Sequence, residues 1–593
     1  MKTTLLRFGA VSAALTIASA SAQSINWAEF SQDNARLNAA SSVGLGDVEE
    51  KDYAFGDFDK DGFIDLIAVR KQPYTSQGRR VNVLFMNEGG TLVDRSAQYA
   101  AASDVPGDQG FLTPTNDRDV VVGDVNNDGW LDFVTATTFT PNQTKELSHP
   151  RVYINLGESG GVWQGFVHEA ARIPDWGSYP NMCGVALGDV TGDGYLDLYF
   201  SHYEQMALVD LNDRLLINDG TGFFTDESSL RMTTAMRGSS FGTSASIADM
   251  NEDGVMDVIS VSGSGQTGGL TRSSIAYNNP NNEGFFNILQ TPYTGAPYHV
   301  AVGDLNADGH QDMILSDDSD DRYLLNEGND VFGRVDWGPA QTFGTDDGFG
   351  SNNYITDINA DGFAEAVICD VDVDLSGCSR RMHIFHNRGT VPGSSVVIRE
   401  ERSGSNYGAL GLPQLSGVHD VAIFDIDNDG DMDMVVGRCN GTVVYMNQRD
   451  LVGVDYCSEA IPNSTGSVAD LQVVGSPVAS DNDMTLLCTD LPPSTFGFFL
   501  VSPARAAIQQ PGGSVGVLCI GGSIGRYVGP GQILDSGAAG EFSLTIDTSA
   551  IPTPTVNVQA SAGDTFHFTA WFRDSFLGSA TSNFADAVSV TFR

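Results

Sequence analysis

Positive charge is scarce in this chain. Lys and Arg total 31 against 76 Asp and Glu, giving a net charge of −45 over 593 residues. Nucleic acid and anionic membrane surfaces select basic patches, so neither suits it as a partner. Long apolar runs are missing too. After the first 22 residues no stretch approaches the ~18 apolar residues that read as a membrane-spanning helix. The seven cysteines contain no Cys-x-x-Cys, which argues against zinc or dithiol redox chemistry. The 9 histidines are scattered, and His383 and His386, three apart on one strand, should face opposite sides. No catalytic constellation is visible. The two Gly-x-Ser-x-Gly matches, at 512–516 and 521–525, lie in a Gly/Ser-rich β segment, whereas a nucleophile elbow needs a strand-turn-helix setting.

The N-terminus reads as a secretory signal over residues 1–22. Lys2 and Arg7 form its charged start, an apolar stretch runs through Ala18, and Ala20-Ser21-Ala22 offers a cleavage site before Gln23. The expected location is secreted or cell-surface, extracellular or periplasmic. The signal carries +2, so the remainder carries −47. Such acidity can mean disorder. Here 41% of residues are hydrophobic and the acids recur at fixed positions, so a folded chain with bound divalent cations is the better expectation. Export permits disulfides. Cys369 and Cys378 are the best local pair, Cys457, Cys488 and Cys519 sit near the C-terminus, and the odd total leaves at least one thiol unpaired.

What the chain has in abundance is one acidic signature, Asp-x-[Asp/Asn/Thr]-x-Asp-Gly-x-x-[Asp/Glu], seven times over. Copies start at Asp57, Asp124, Asp189, Asp249, Asp304, Asp357 and Asp425, spaced by 67, 65, 60, 55, 53 and 68 residues. Each follows a short apolar strand, such as Val120-Val121-Val122. A second apolar strand comes next, then a third that ends in Asn: Asn87, Asn155, Asn218, Asn278, Asn326, Asn387 and Asn447. A fourth follows in most copies. Four strands bounded by Gly/Asn/Asp turns make one antiparallel sheet. One such sheet cannot bury both faces, but seven stacked radially can. The expected fold is all-β, a seven-bladed β-propeller over 23–450 followed by a β-sandwich. The seventh unit lacks a clear fourth strand, and residues 25–31 are expected to supply it and close the ring. Residues 451–456 read as a linker. Residues 457–593, rich in Gly, Ser, Thr and Pro with alternating strands such as 565–572, read as the sandwich.

The signature has the spacing of a cation loop. Offsets 1, 3 and 5 present side-chain oxygens, the glycine at 6 permits a sharp turn, offset 7 can give a carbonyl, and the acid at 9 can close the shell. All-oxygen ligation with flexible geometry favours Ca²⁺, up to seven ions. The candidate ligands are Asp57, Asp59, Asp61 and Asp65; Asp124, Asn126, Asp128 and Asp132; Asp189, Thr191, Asp193 and Asp197; Asp249, Asn251, Asp253 and Asp257; Asp304, Asn306, Asp308 and Asp312; Asp357, Asn359, Asp361 and Glu365; and Asp425, Asp427, Asp429 and Asp433. The first and seventh sets hold four carboxylates each and should bind tightest. The third, with Thr191, should bind weakest. The acidic runs 317–321 and 370–374 lack the glycine and read as solvated blade edges.

These units resemble FG-GAP/VCBS repeats, which build the seven-bladed head of integrin α subunits. The resemblance covers about residues 25–450, and Phe55-Gly56-Asp57 echoes the family's name. It implies the fold and calcium more strongly than any ligand, because function lies in loops rather than folds. The expected function is a non-enzymatic binding or adhesion module for protein or glycan ligands. The alternative is a lectin or a carbohydrate-active enzyme of polysaccharide-lyase type, with His202, Tyr203, Glu204, Trp130 and Trp176 as possible sugar-stacking or polar groups. Three sequons, at Asn142, Asn440 and Asn463, matter only where the host glycosylates.

Overall fold

The computed structural model describes residue 28 and residues 30–592, apart from 39–45, 73–77, 141–142, 178–179, 204–211, 240, 264–270, 318–319, 345–349, 360–361, 371–377, 379, 388–392, 394–395, 397, 401–411, 414, 448–451, 458–459, 480–481, 483 and 577. The secretory signal and the residues 25–27 of the closing strand lie outside the described residues.

Each acidic repeat folds into one antiparallel sheet, and successive strands of a repeat lie side by side. The third is the simplest case, with Met182–Gly188, Asp197–His202, Arg214–Asn218 and Phe224–Asp226 in that order. In the seventh, Val418–Phe424, Asp433–Arg438 and Gly441–Asn447 are joined on their outer edge by Phe30–Gln32 from the N-terminus. Phe30 lies opposite Asn447 and Gln32 opposite Tyr445, antiparallel. The chain then turns through Asn34–Arg36, and Leu37–Asn38 adds in parallel to the outer strand Leu92–Asp94 of the first sheet. This stretch thus touches both the last and the first sheet.

Seven apolar clusters, each drawn from two neighbouring sheets, hold the sheets face to face. The second strands explain this, because alternate residues point to opposite faces. Leu66 and Ala68 pack with Val435 and Val444 of the seventh sheet, whereas Ile67 and Val69 pack with Phe133 and Tyr153 of the second. The same division runs through Val134 to Leu198, Tyr199 to Val258, Ile259 to Met313, Ile314 to Ala366 and Val367 to Met434. A strand buried on both faces reads as continuous apolar sequence, as these do. Full burial of each Val, Leu or Ile contributes roughly 1.5–3 kcal/mol.

The Gly-Asp step before four of the loops has a steric cause near the axis, where the first strands converge. A Cβ on Gly123 would sit 2.3 Å from Leu187 Cδ2, and one on Gly188 2.5 Å from Ile247 Cγ2. Ala248, Thr356 and Phe424 stand in its place in the other three, and Phe424 stacks on Phe55 at 5.0 Å.

Beyond the ring, Thr565–Phe576, Ser579–Thr591 and Phe496–Ser502 form one sheet, and Asp470–Gly475, Met484–Thr489 and Phe542–Ile546 another. Phe499, Phe568 and Phe572 from the first meet Leu471, Leu486 and Phe542 from the second in one core. The expected linker is partly structural. Val454–Asp455 pairs with Ser589 and Val588, and Val452 is buried in that core, because its alternating apolar residues complete a sheet edge.

The disulfides correct the local-pair expectation. Cys378 bonds Cys439, joining the sixth sheet's loop to the seventh sheet's hairpin, and Cys457 bonds Cys519. Cys369 is a free, fully buried thiol because its strand position packs it between sheets six and seven. The acidic runs also differ from expectation. Asp317, Asp321 and Asp370 are buried: Asp321 accepts the Asp317 N–H at 2.7 Å, and Asp370 faces His383 Nε2 at 3.2 Å. Asp318 and residues 371–374 lie outside the described residues.

Candidate metal centre

Six of the loops share one backbone path, and in the sixth residues 360–361 lie outside the described residues. The N–H of the glycine at offset 6 donates to the first Asp in every copy, from Gly62 to Asp57 at 3.1 Å through Gly430 to Asp425 at 2.8 Å. These glycines have φ between 86° and 105°, which only glycine adopts at low cost. Offset 4 is left-handed as well, at Lys60, Asn127, Glu252, Ala307 and Asn428. The resulting curl gathers the oxygens of offsets 1, 3 and 5 in the first loop and of offsets 1, 3 and 9 in the seventh. Among the described residues, two groups of three carboxylates have oxygens within 4.8 Å of one another: Asp57, Asp59 and Asp61, and Asp425, Asp427 and Asp433. They fall in the two loops that carry four acids each.

The other loops are partly self-satisfied. Asn126, Asn251 and Asn306 donate Nδ2 to Asp128, Asp253 and Asp308 at 2.9–3.0 Å. Thr191 turns its hydroxyl onto Asp189 and Asp197, each at 3.4 Å. In the sixth loop Asn359 is buried and Asp361 lies outside the described residues.

The acid at offset 9 does more than close a shell. It is buried in every copy, and its two oxygens accept two backbone N–H groups at 2.7–3.3 Å. One comes from offset 2 of its own loop, the other from the Asn that ends the third strand. Glu365 keeps both bonds with its longer arm. Burial pushes these carboxyls up, to about 8 at Asp65 and Asp257 and to about 7 at Asp132, Asp197, Asp312 and Asp433, and the loop acids add to the effect. A proton or a bound cation would offset this buried charge.

The Asn side chains were visible in the sequence without a role. In six of them the Nδ2 group ties its loop to the loop before it. Asn155 donates to Leu131 O of its own loop at 3.1 Å and to Phe58 O of the preceding one at 2.9 Å. Asn87, Asn218, Asn278, Asn326 and Asn387 repeat this across to Ile426, Val125, Val190, Met250 and Leu305 at 2.7–2.9 Å. Asn87 thereby joins the first loop to the seventh.

The donor set fits a hard cation. In the seventh loop, Asp427 Oδ2 meets Arg36 at 3.1 Å, but its Oδ1 is buried without any hydrogen-bond partner. An orphaned carboxylate oxygen beside Asp425 and Asp433 is what a cation would satisfy.

A second cluster lies on the ring axis. Asp52 and Asp420 are buried, Asp119 is half-buried, and the three accept the N–H groups of Val120, Val185 and Tyr53 in the next sheet at 3.1, 2.7 and 2.7 Å. With Arg118, His299, Asn352 and Tyr354, Asp52 and Asp119 line a cavity of about 200 Å³. These side chains are engaged as latches between sheets: Arg118 reaches Thr243 O and His299 Nε2, each at 3.3 Å, and Asn352 reaches Asp52 at 2.5 Å. Elsewhere Ser103, Arg151 and Asp108 all converge on Nδ1 of His168, at 3.2, 2.7 and 3.6 Å. A nucleophile relay uses both ring nitrogens, so this is a packing cluster.

The aromatic candidates are also engaged. Trp130 lies under Lys60 Nζ at 4.0 Å, Trp176 stacks on His149 and donates to Asp226 at 3.0 Å, and His202 and Tyr203 are buried. Glu204 lies outside the described residues. His383 is buried and His386 half-buried. Ser514 donates its hydroxyl to Ser582 O at 2.7 Å. Asn463 is buried and donates to Asp490 O at 2.7 Å, which leaves Asn440 as the exposed sequon among the described residues.

Comparison with known proteins adds the following. The FG-GAP-like repeat family matches residues 57–135, which hold the first two acidic loops. No curated protein matches the chain. Among solved structures, the V. cholerae biofilm matrix protein Bap1 is similar at 13% identity, over 95% of this chain and 70% of its own, with a TM-score of 0.28. An ancestral GH74 enzyme is similar at 10% identity over 90% and 81%, with a TM-score of 0.30. The Trypanosoma rangeli sialidase is similar at 12% identity over 84% and 95%, with a TM-score of 0.32. With its sheets packed pairwise in a ring and this family match over the first two loops, the chain is an all-β protein of propeller type that carries FG-GAP-like repeat sequence.

Proposed function

We propose that this protein is an exported, calcium-stabilised propeller that binds protein or glycan ligands through its loops and catalyses no reaction. The observation that carries the cation half is the gathering of three carboxylates in each of the first and seventh loops, with Asp427 Oδ1 buried and unpartnered. Six of the loops share the backbone path, and Ca²⁺ is the cation that flexible all-oxygen loops favour over Mg²⁺. In the first loop the ion would sit among Asp57, Asp59 and Asp61, and in the seventh among Asp425, Asp427 and Asp433. Two disulfides fit an oxidising compartment. Among the described residues no helix is long and apolar enough to cross a membrane. The non-enzymatic half is supported by the axial polar groups, which are engaged in holding sheets together.

The test is a thermal melt of the chain without residues 1–22 in EDTA, with calcium titrated back and magnesium as control. The expected result is a large calcium-specific rise that grows with concentration as linkage requires. No shift would overturn the calcium reading and leave the loops as turns. Glycan and protein-ligand screens then run with calcium present, and turnover of any polysaccharide by the purified chain would overturn the non-enzymatic half.

A further inference from the structure

The first and seventh loops each offer four carboxylates at offsets 1, 3, 5 and 9, but the seventh adds the buried Asp431 and faces Arg36, whereas the first carries Lys60 at offset 4. Arg36 lies on the turn Asn34–Arg36, directly after the strand Phe30–Gln32 that closes the ring. Its Nη2 meets Asp427 Oδ2 at 3.1 Å, its Nη1 donates to Gly90 O at 2.8 Å, and its Nε meets Asp33 Oδ2 at 3.3 Å. One side chain thus joins the closing strand, the seventh loop and a turn of the first sheet.

Two other arginines take the same place in later connectors. Arg172 bonds Glu169 and Thr221 O at 2.7 and 2.5 Å, and Arg231 bonds Glu227 and Gly284 O at 2.7 and 3.2 Å. The offset-3 residues beside them are neutral, Asn126 and Thr191. Of these three arginines, Arg36 is the one set against an acid at offset 3. In the first sheet the corresponding connector offers Arg95, which turns away to Glu88 on the exposed surface.

We propose that Arg36 is a resident counter-ion of the seventh loop, which lowers that loop's affinity for a divalent cation and links ion uptake to ring closure. This rests on the cation reading above. Without an ion, Arg36 neutralises Asp427 and pins the closing strand. An ion drawn to Asp425, Asp427 and Asp433 competes with the guanidinium for Asp427 and is repelled by its charge. Removing the guanidinium therefore tightens ion binding at the seventh loop. At the near-water dielectric of this part-exposed pair, a unit charge about 6 Å from a divalent ion changes affinity on the order of tenfold.

The experiment is calcium titration by isothermal calorimetry on the full chain without residues 1–22, with Asp427→Asn used to assign the seventh-loop binding event. Arg36→Gln is expected to tighten that event on the order of tenfold while lowering the melting temperature in EDTA. Asp33→Asn retains the cap on Ala35 but frees more of the Arg36 charge for Asp427, so it should weaken the same event. It also serves as the second variant should Arg36→Gln not fold. A merely structural arginine would give weaker binding, or none of these changes, and either result overturns the proposal. Wild-type binding with no response to the two variants sinks the role of Arg36 alone. Absence of any calcium binding in the wild type removes the cation reading and this proposal together.

Discussion

Replacing Asn155 with Ala tests the inter-loop staple without touching a candidate ligand. Asn155 is 1% exposed. Its Nδ2 donates to Phe58 O at 2.9 Å and Leu131 O at 3.1 Å, and its Oδ1 accepts from Gly157 N at 3.0 Å and Trp163 Nε1 at 2.8 Å. The substitution leaves two carbonyls and two N–H groups without partners. A buried group left unsatisfied costs about 1–3 kcal/mol. The groups nearest the surface recover water, so the expected loss is about 3–5 kcal/mol rather than the full sum. The bond from Asn155 N to Asp132 is backbone and survives, so the loop keeps its path. The assay is urea unfolding followed by tryptophan fluorescence, with stability from linear extrapolation. Trp163 reports on the same interface. Leu156→Ala, at a 50% exposed neighbouring position, is the control and should cost under about 0.5 kcal/mol. A loss below about 1 kcal/mol for Asn155→Ala would refute the claim that these side chains bind loop to loop.

Two further outcomes follow from the axis and the disulfides. Burial raises the carboxyls of Asp119 to about 6 and of Asp420 to about 7, and that of Asp52 well above its usual value, with Arg118 the cation and Tyr53 and Tyr354 the phenols facing them. An acid with a raised folded value contributes its full stability below the unfolded value of about 3.9 and loses it as pH rises through the folded value. The cation-free protein should therefore lose stability between about pH 4 and pH 7 through this cluster, and Asp420→Asn should flatten that slope. An unchanged slope in chemical denaturation would contradict the cluster's role. Separately, Cys378 and Cys439 are bonded across 61 residues, so Cys439→Ser should cost about 4 kcal/mol on the loop-entropy scale. A loss under about 1 kcal/mol in the same urea assay would mean that the bond does not hold the sixth sheet to the seventh.

Much of the architecture was legible in the chain because it is periodic. Seven acidic signatures between apolar runs required seven similar sheets, and doubly buried second strands such as Leu66–Val69 announced themselves as unbroken apolar sequence. The glycine at offset 6 was readable because only one residue type adopts its backbone angles cheaply. Other features were not readable, because they depend on partners far away in sequence. The seven strand-ending asparagines were plain to see, but the bond that six of them make to the preceding loop spans up to 339 residues, as for Asn87 and Ile426. Asp317, Asp321 and Asp370 looked like solvated acids until the fold buried them. Cys369 looked paired with Cys378 by nearness in the chain, yet Cys378 reaches Cys439.

The sequence by itself determined the repeat and the strand order within each unit, because both are local along the chain. Only the tertiary structure decided which loops gather three carboxylates, that the acid at offset 9 is also a backbone anchor, and that Arg36 stands between the seventh loop and the closing strand. Those properties arise where ring closure brings the two ends of the repeat together, and no local pattern in the chain specifies what a residue meets there.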